Sequence, residues 1–459
     1  MGCCRARLTV SGRLSYASSV PVSRKRKKPR KSKTSTRAAH PRIGSDLDDR
    51  SRHELANARA GFAAYRHQAD ARRAALAAAA ARALVAELVE FASTRPDSDL
   101  EDELCTKLGM RLREFADEPI DDHVGPNPLA EATVTVAATA VRAALDEVTT
   151  GPDGWRARWR VLAVVAGIVP FPLSATAADA IEHLHNLPGG HVLPKTPDGP
   201  TVTGQVLWTR DAYGSRFGVT AAFSTPNGPD RWYLWDIDAC GHQAFTVHST
   251  YYRTPEQALA AWQAGVGGLA AGEMAFTPVD NPSLLADLMP AEEGFLRAGG
   301  ENANQFAEYH RSKRLAEAAI GALRPSWTAR RPDLDAGTAA AQFTAWLRRR
   351  RAGQPLPDDL EDLVTELADS WYIDGPAALY GTCSPHRVAL TVLHLRNYYQ
   401  DDFAAQLLAL LPDWACWLAA RNGTAPALAE RCQPYALGEP HADVGSDDSR
   451  PNYLARVSE

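Results

Sequence analysis

One stretch of the chain gathers the side chains of a reactive site. Arg231 to Ser249 reads RWYLWDIDACGHQAFTVHS, bringing Asp236, Asp238, Cys240, His242 and His248 close together. Carboxylate, thiolate and imidazole are all donors that zinc accepts. A cysteine beside a histidine is also the start of a nucleophilic pair. Against the metal, Cys240-Gly241-His242 lacks a second closely spaced ligand pair. Against the nucleophile, no third group that would orient the histidine is identifiable nearby.

Strand alternation sharpens the choice. It puts Tyr233, Trp235 and Ile237 on one face and Trp232, Leu234, Asp236 and Asp238 on the other. Gly241 then permits a tight turn. The leading expectation is an exposed hairpin edge whose polar residues face solvent. The alternative is a metal or catalytic cluster of Asp236, Asp238, Cys240, His242 and His248.

The second chemistry is charge. The first forty residues hold twelve Lys/Arg and no Asp/Glu, leaving thirty-eight basic and fifty-five acidic side chains in the remainder. Arg24, Lys25, Arg26, Lys27, Lys28, Arg30, Lys31 and Lys33 form a run that can neutralise phosphates but lacks interleaved aromatics for base stacking. Arg348, Arg349, Arg350 and Arg351 form a second basic group. Their place at a predicted helix end also suits the helix dipole. The acidic remainder argues against an extended polyanion cleft.

Other signatures are missing from the sequence: no P-loop, GxGxxG, HExxH, EF-hand or nucleophile elbow occurs. His183 and His185 are two positions apart and so point to different faces of a helix. Met1-Gly2-Cys3-Cys4 invites lipidation, but Ala6 stands where Ser or Thr is required. The seven cysteines contain no CxxC pair, which fits reduced thiols and a cytoplasmic setting. No cofactor and no transmembrane insertion are expected.

The elements that must hold these residues are mostly helices. Helical periodicity covers 51–93, 100–116, 129–148, 155–169 and 173–186. Strand signals follow at 205–208, 217–224, 232–237 and 244–249. Thr254-Pro255-Glu256-Gln257 then starts a helix with a capping residue, a proline at the first helical position and a capping-box glutamine. Further helices are expected at 302–323, 337–350, 358–370, 386–399 and 402–422. Ser384-Pro385 begins the fourth of these, and Pro412 divides the last.

The strands followed by Thr254, Pro255, Glu256, Ala258 and Leu259 resemble the small ββ(β)α modules of the HicB-like antitoxin family. The resemblance implies only a topology, a meander followed by a helix. It carries over no toxin partner and no DNA-binding arm.

The fold expected is mainly α with a central small α+β module, an antiparallel β-meander followed by a helix and flanked by helical domains. Its parts are a disordered basic tail (1–45), a helical bundle (46–150), a helical hairpin (151–190), the meander with its helix (200–270), a C-terminal helical domain (280–433) and a polar flexible tail (434–459). The function expected is noncatalytic interaction or regulation with a protein partner, associated with DNA or RNA through the basic tail. The alternative is a metal-dependent hydrolase built on the central hairpin.

Overall fold

The computed structural model describes residues 49–119, 121–146, 154–195, 199–224, 229–241, 244–289, 302–323, 334–371 and 375–441, with side chains from residue 57 onward. The basic run 24–33 and most of the polar carboxyl-terminal segment lie outside the described residues.

Five helices come first: α1 (Asp49–Ala92), α2 (Asp97–Ala116), α3 (Pro126–Asp146), α4 (Gly154–Ile168) and α5 (Leu173–His185). Four-residue spacing gives α2 one apolar face of Leu100, Leu104, Leu108 and Leu112. That face joins Leu84 and Leu88 of α1, Leu129 and Val141 of α3, and Trp159 and Leu162 of α4 in one core. Burying each such leucine contributes about 1.5–3 kcal/mol. At the start of α5, Pro172 occupies the capping position, and no side chain caps the helix. The Ser174 backbone N–H donates to Pro170 O (3.0 Å).

The sheet follows, built from β1 (Leu207–Arg210), β2 (Arg216–Phe223), β3 (Arg231–Asp238) and β4 (Phe245–Tyr252). Then come α6 (Pro255–Val266), α7 (Gly268–Ala271), β5 (Thr277–Pro278), α8 (Pro282–Leu288) and α9 (Ala303–Leu323). The strand order is β4-β3-β2-β1-β5, with each adjacent pair antiparallel. Phe217, Val219, Tyr233, Trp235 and Ile237 pack with Leu284, Leu285 and Leu288 of α8 and with Leu315 and Ala319 of α9. On the opposite face Leu234 meets Ala258 and Trp262 of α6. Gly218 makes that contact possible, because a Cβ there would stand 2.9 Å from the Trp262 ring.

The α6 start is close to the expected cap. Thr254 Oγ1 accepts the Gln257 N–H (3.3 Å), but Gln257 Oε1 accepts the N–H of Arg253 rather than that of Thr254 (3.2 Å). Gly267, at φ +89°, ends the helix in a conformation that favours glycine.

Helix α9 ties the sheet to the first bundle. A Cβ on Gly109 would lie 2.5 Å from the Ala307 nitrogen, so α2 and α9 cross at backbone contact. Beside the crossing, buried Arg311 pairs with Glu308, Asp102 and Glu101, and Tyr233 donates its hydroxyl to Glu308 (2.7 Å). Arg311 and Glu308 are the buried pair, while Glu101 and Asp102 stay partly exposed to water; pairing is the condition for tolerating the burial of the first two.

The last region contains α10 (Ala336–Arg350), α11 (Leu360–Ser370), α12 (Pro385–Tyr398), α13 (Asp401–Asn422), α14 (Pro426–Glu430) and α15 (Gln433–Ala436). Phe343, Leu347, Leu363, Leu367, Trp371, Leu407, Leu411, Trp414 and Leu418 form its core. Helix α13 runs unbroken through Pro412 instead of dividing there. A mid-helix proline costs about 3 kcal/mol, which the burial of Leu411 and Trp414 on either side offsets. This helix is long and apolar enough to cross a membrane by length and composition, and half of that stretch is buried inside the protein. The architecture is mainly helical, with one small five-stranded antiparallel sheet flanked by helical regions.

Candidate metal centre

The sheet separates the two aspartates that alternation puts on one face. Asp236 is held from β2: Arg216 Nε donates to its Oδ1 (2.8 Å) and Arg216 Nη2 to its Oδ2 (2.6 Å). This two-point pairing of guanidinium and carboxylate is the strong form of the interaction. The two side chains are 14% and 5% exposed, so the pair sits inside the protein. His248 lies opposite Asp236 on β4, where the register shifts between Asp236 and Ile237. Burial lowers its imidazole pKa, with the Asp236 charge acting in the opposite sense.

Asp238, the last residue of β3, faces a different environment. Its Oδ1 accepts the N–H of Cys240 (2.8 Å), folding the carboxylate back over its own turn. The Ala239 N–H donates to Ser215 O (2.9 Å) and keeps the chain on the sheet as it leaves β3. Cys240 then meets the start of α12. Ser384 caps that helix by accepting the Arg387 N–H (3.2 Å), and its hydroxyl lies 3.2 Å from Cys240 Sγ. Pro385 takes the first helical position, and His386, next along, places Nδ1 3.5 Å from Asp238 Oδ2.

One donor atom each from Asp238, Cys240 and His386 therefore lies within 4.8 Å of the other two. The three residues are 1%, 6% and 6% exposed. Cys240 also packs with Ala389, Leu390 and Leu393 of α12 and with Tyr435 of α15. The hairpin end is thus covered by the C-terminal region, whereas the sequence suggested an exposed edge. The reason is topological: β3 is an inner strand, and α12 closes over the turn that follows it.

The donor types, and one of their separations, suit a cation. Zinc bonds of about 2.0–2.3 Å in tetrahedral arrangement put neighbouring donors roughly 3.3–3.7 Å apart. The Asp238–His386 separation of 3.5 Å falls in that interval. A nucleophile triad has another shape, with the imidazole between thiol and carboxylate and hydrogen-bonded to each from opposite nitrogens. Here one donor atom each from the carboxylate, the thiol and the imidazole lies within 4.8 Å of the other two.

Nearby charge is of both signs. Buried Asp211 accepts the N–H groups of Ser215 (2.8 Å) and Arg216 (3.0 Å). Burial pushes its pKa up to about 6; the two backbone bonds oppose the rise, and the Asp238 charge adds to it. The buried Arg216 guanidinium faces Asp211, Asp236 and Asp238 and supplies positive charge to the same neighbourhood.

Of the remaining sequence candidates, His242 and Arg24–Lys33 are outside the described residues. Arg348 pairs with Glu361 (2.9 Å), and Arg350 and Arg351 approach Asp413 (3.3 and 2.5 Å). Arg349 is exposed in the last turn of α10. His386 was not among the sequence candidates. Ser384-Pro385 marked it as the start of a helix, but nothing local connected that start to a cysteine 144 positions before Ser384. Comparisons with protein-family models, with curated proteins and with solved structures find no match to this chain.

Proposed function

We propose that this protein is a metal-dependent hydrolase in which Asp238, Cys240 and His386 hold a zinc ion. The observation that carries the reading is the convergence of these three buried donors from two distant segments. Three protein ligands with one position left for water is the ligand count of catalytic zinc sites. When bound, the metal supplies a water whose pKa is lowered to about 7, a nucleophile at neutral pH. Asp238 holds the turn with one oxygen and faces His386 with the other. Leu390, Leu393 and Tyr435 pack on the cysteine side of the site, where the Ser384 hydroxyl lies 3.2 Å from the thiol. Cys240 ligates as a thiolate, which requires a reduced thiol and agrees with a cytoplasmic setting.

Elemental analysis of the purified chain is expected to find about one zinc per molecule, lost in Cys240→Ala and His386→Ala. A panel of chromogenic esters and phosphoesters should then show hydrolysis that a chelator abolishes. A metal-free protein whose Cys240 is not protected from alkylation by added zinc would overturn the site. Stoichiometric zinc with no turnover across the panel would leave the site and remove the hydrolase.

A second reading rests on a separate observation, the twelve cations and no acidic groups in the first forty residues. In that reading the chain is an interaction or regulatory protein that meets DNA or RNA through Arg24–Lys33. Binding to a labelled oligonucleotide is expected to weaken steeply with salt and to be lost when residues 20–40 are removed. Equal binding by the shortened chain would move attention to Arg348–Arg351.

A further inference from the structure

The end of the described chain lies beside the three donors. Helix α15 places Tyr435 against Cys240 and the α12 leucines. The chain then turns back: Gly438 donates its N–H to Tyr435 O and Glu439 to Pro434 O (both 3.0 Å), with Gly438 at φ +94°. That conformation favours glycine, and it returns the chain toward the start of α12. His441 follows. Its ring centroid is 5.4 Å from that of His386 and 4.8 Å from that of Tyr435. Unlike Asp238, Cys240 and His386, His441 is only partly buried and so stands on the solvent side.

The histidine spacing is informative. An imidazole bound through nitrogen at about 2.0–2.1 Å has its ring centre roughly 3.2 Å from the metal. Two such rings on neighbouring tetrahedral positions are then about 5.2 Å apart, centre to centre. The observed separation is 5.4 Å, with the planes inclined by 33°; the His441 nitrogens do not join the three donor atoms that lie within 4.8 Å of one another, so the ring stands beside the site and has to turn to reach it.

Building on the three-ligand zinc reading, we propose that His441 is the fourth ligand, displaceable and on the solvent side. A side-chain rotation is the movement asked of it. The position that a catalytic water would take is then guarded by a residue of the chain's own carboxyl-terminal segment.

The test uses the full-length protein loaded with cobalt(II), whose visible absorption reports coordination. The wild type is expected to show four-coordinate bands that low concentrations of free imidazole leave unchanged. In His441→Ala the bands shift, free imidazole restores them, and cobalt affinity falls at least about tenfold, the smallest loss usual for removing even an outer partner. Circular dichroism confirms that the variant is folded. An unchanged spectrum and affinity in His441→Ala would refute the fourth ligand alone. In that case Cys240→Ser would still abolish the sulfur-to-cobalt charge-transfer band, leaving the three-ligand site standing. Failure of the wild type to take up cobalt or zinc would overturn both readings.

Discussion

Asp236→Ala is expected to destabilise the protein by about 3–5 kcal/mol, the cost of removing one partner from a buried pair. The substitution removes both carboxylate bonds to Arg216, at 2.8 and 2.6 Å, and leaves the guanidinium beneath α6. The enclosure is tight: a Cβ on Gly265 of α6 would stand 3.2 Å from Asp236 Oδ2 and 3.3 Å from Arg216 Nη2. Water therefore cannot readily replace the lost partner. Asp211 and Asp238 still attract Arg216 from nearby, which puts the loss near the lower end of the interval. Against a total stability of about 5–15 kcal/mol this is a large fraction. Urea unfolding followed by far-UV circular dichroism measures it, with zinc content determined on the same preparation. Zinc binding is expected to persist at temperatures where the variant remains folded, because Asp236 lies outside the donor set. The double variant Arg216→Met, Asp236→Leu is expected to recover most of the loss, since apolar replacement of a buried pair is often neutral or better. A loss below about 1 kcal/mol, the value of an exposed pair, would refute the reasoning. So would loss of zinc from a fully folded Asp236→Ala protein.

Two further outcomes follow from the same sheet. Burial raises the Asp211 pKa from 3.8 to about 6, so between these values the folded state holds the proton more tightly than the unfolded chain. Its contribution to stability is present below the lower value and is lost as pH rises through the higher one, by roughly 3 kcal/mol at pH 7. Asp211→Asn is expected to abolish that decline between pH 4 and about 6 while keeping an acceptor for Ser215 and Arg216, as chemical denaturation across that range would show; an unchanged pH profile contradicts it. Gly218→Ala is expected to cost about 1–3 kcal/mol and to increase solvent quenching of tryptophan fluorescence by lifting Trp262 from the sheet. Wild-type stability and quenching in that variant would contradict the contact.

How far the chain's local order reveals this molecule depends on the distance over which each feature is encoded. The leucines of α2, the caps at Thr254 and Ser384 and the alternation of β3 act within a turn or a few residues, and so are readable along the chain. The mostly helical fold with its small sheet follows from these signals. The two residues of β5 carry no period, and Pro412 marks a local break in α13 that the surrounding core overrides. The donor site shows the same limit. Asp236, Asp238 and Cys240 were recognisable as chemically able residues. Their separate roles came from Arg216 on the neighbouring strand and from His386 and Ser384 at a distant helix start. Sequence spacing gives a side chain its direction within its own element. Which partner waits there depends on how elements far apart in the chain pack together.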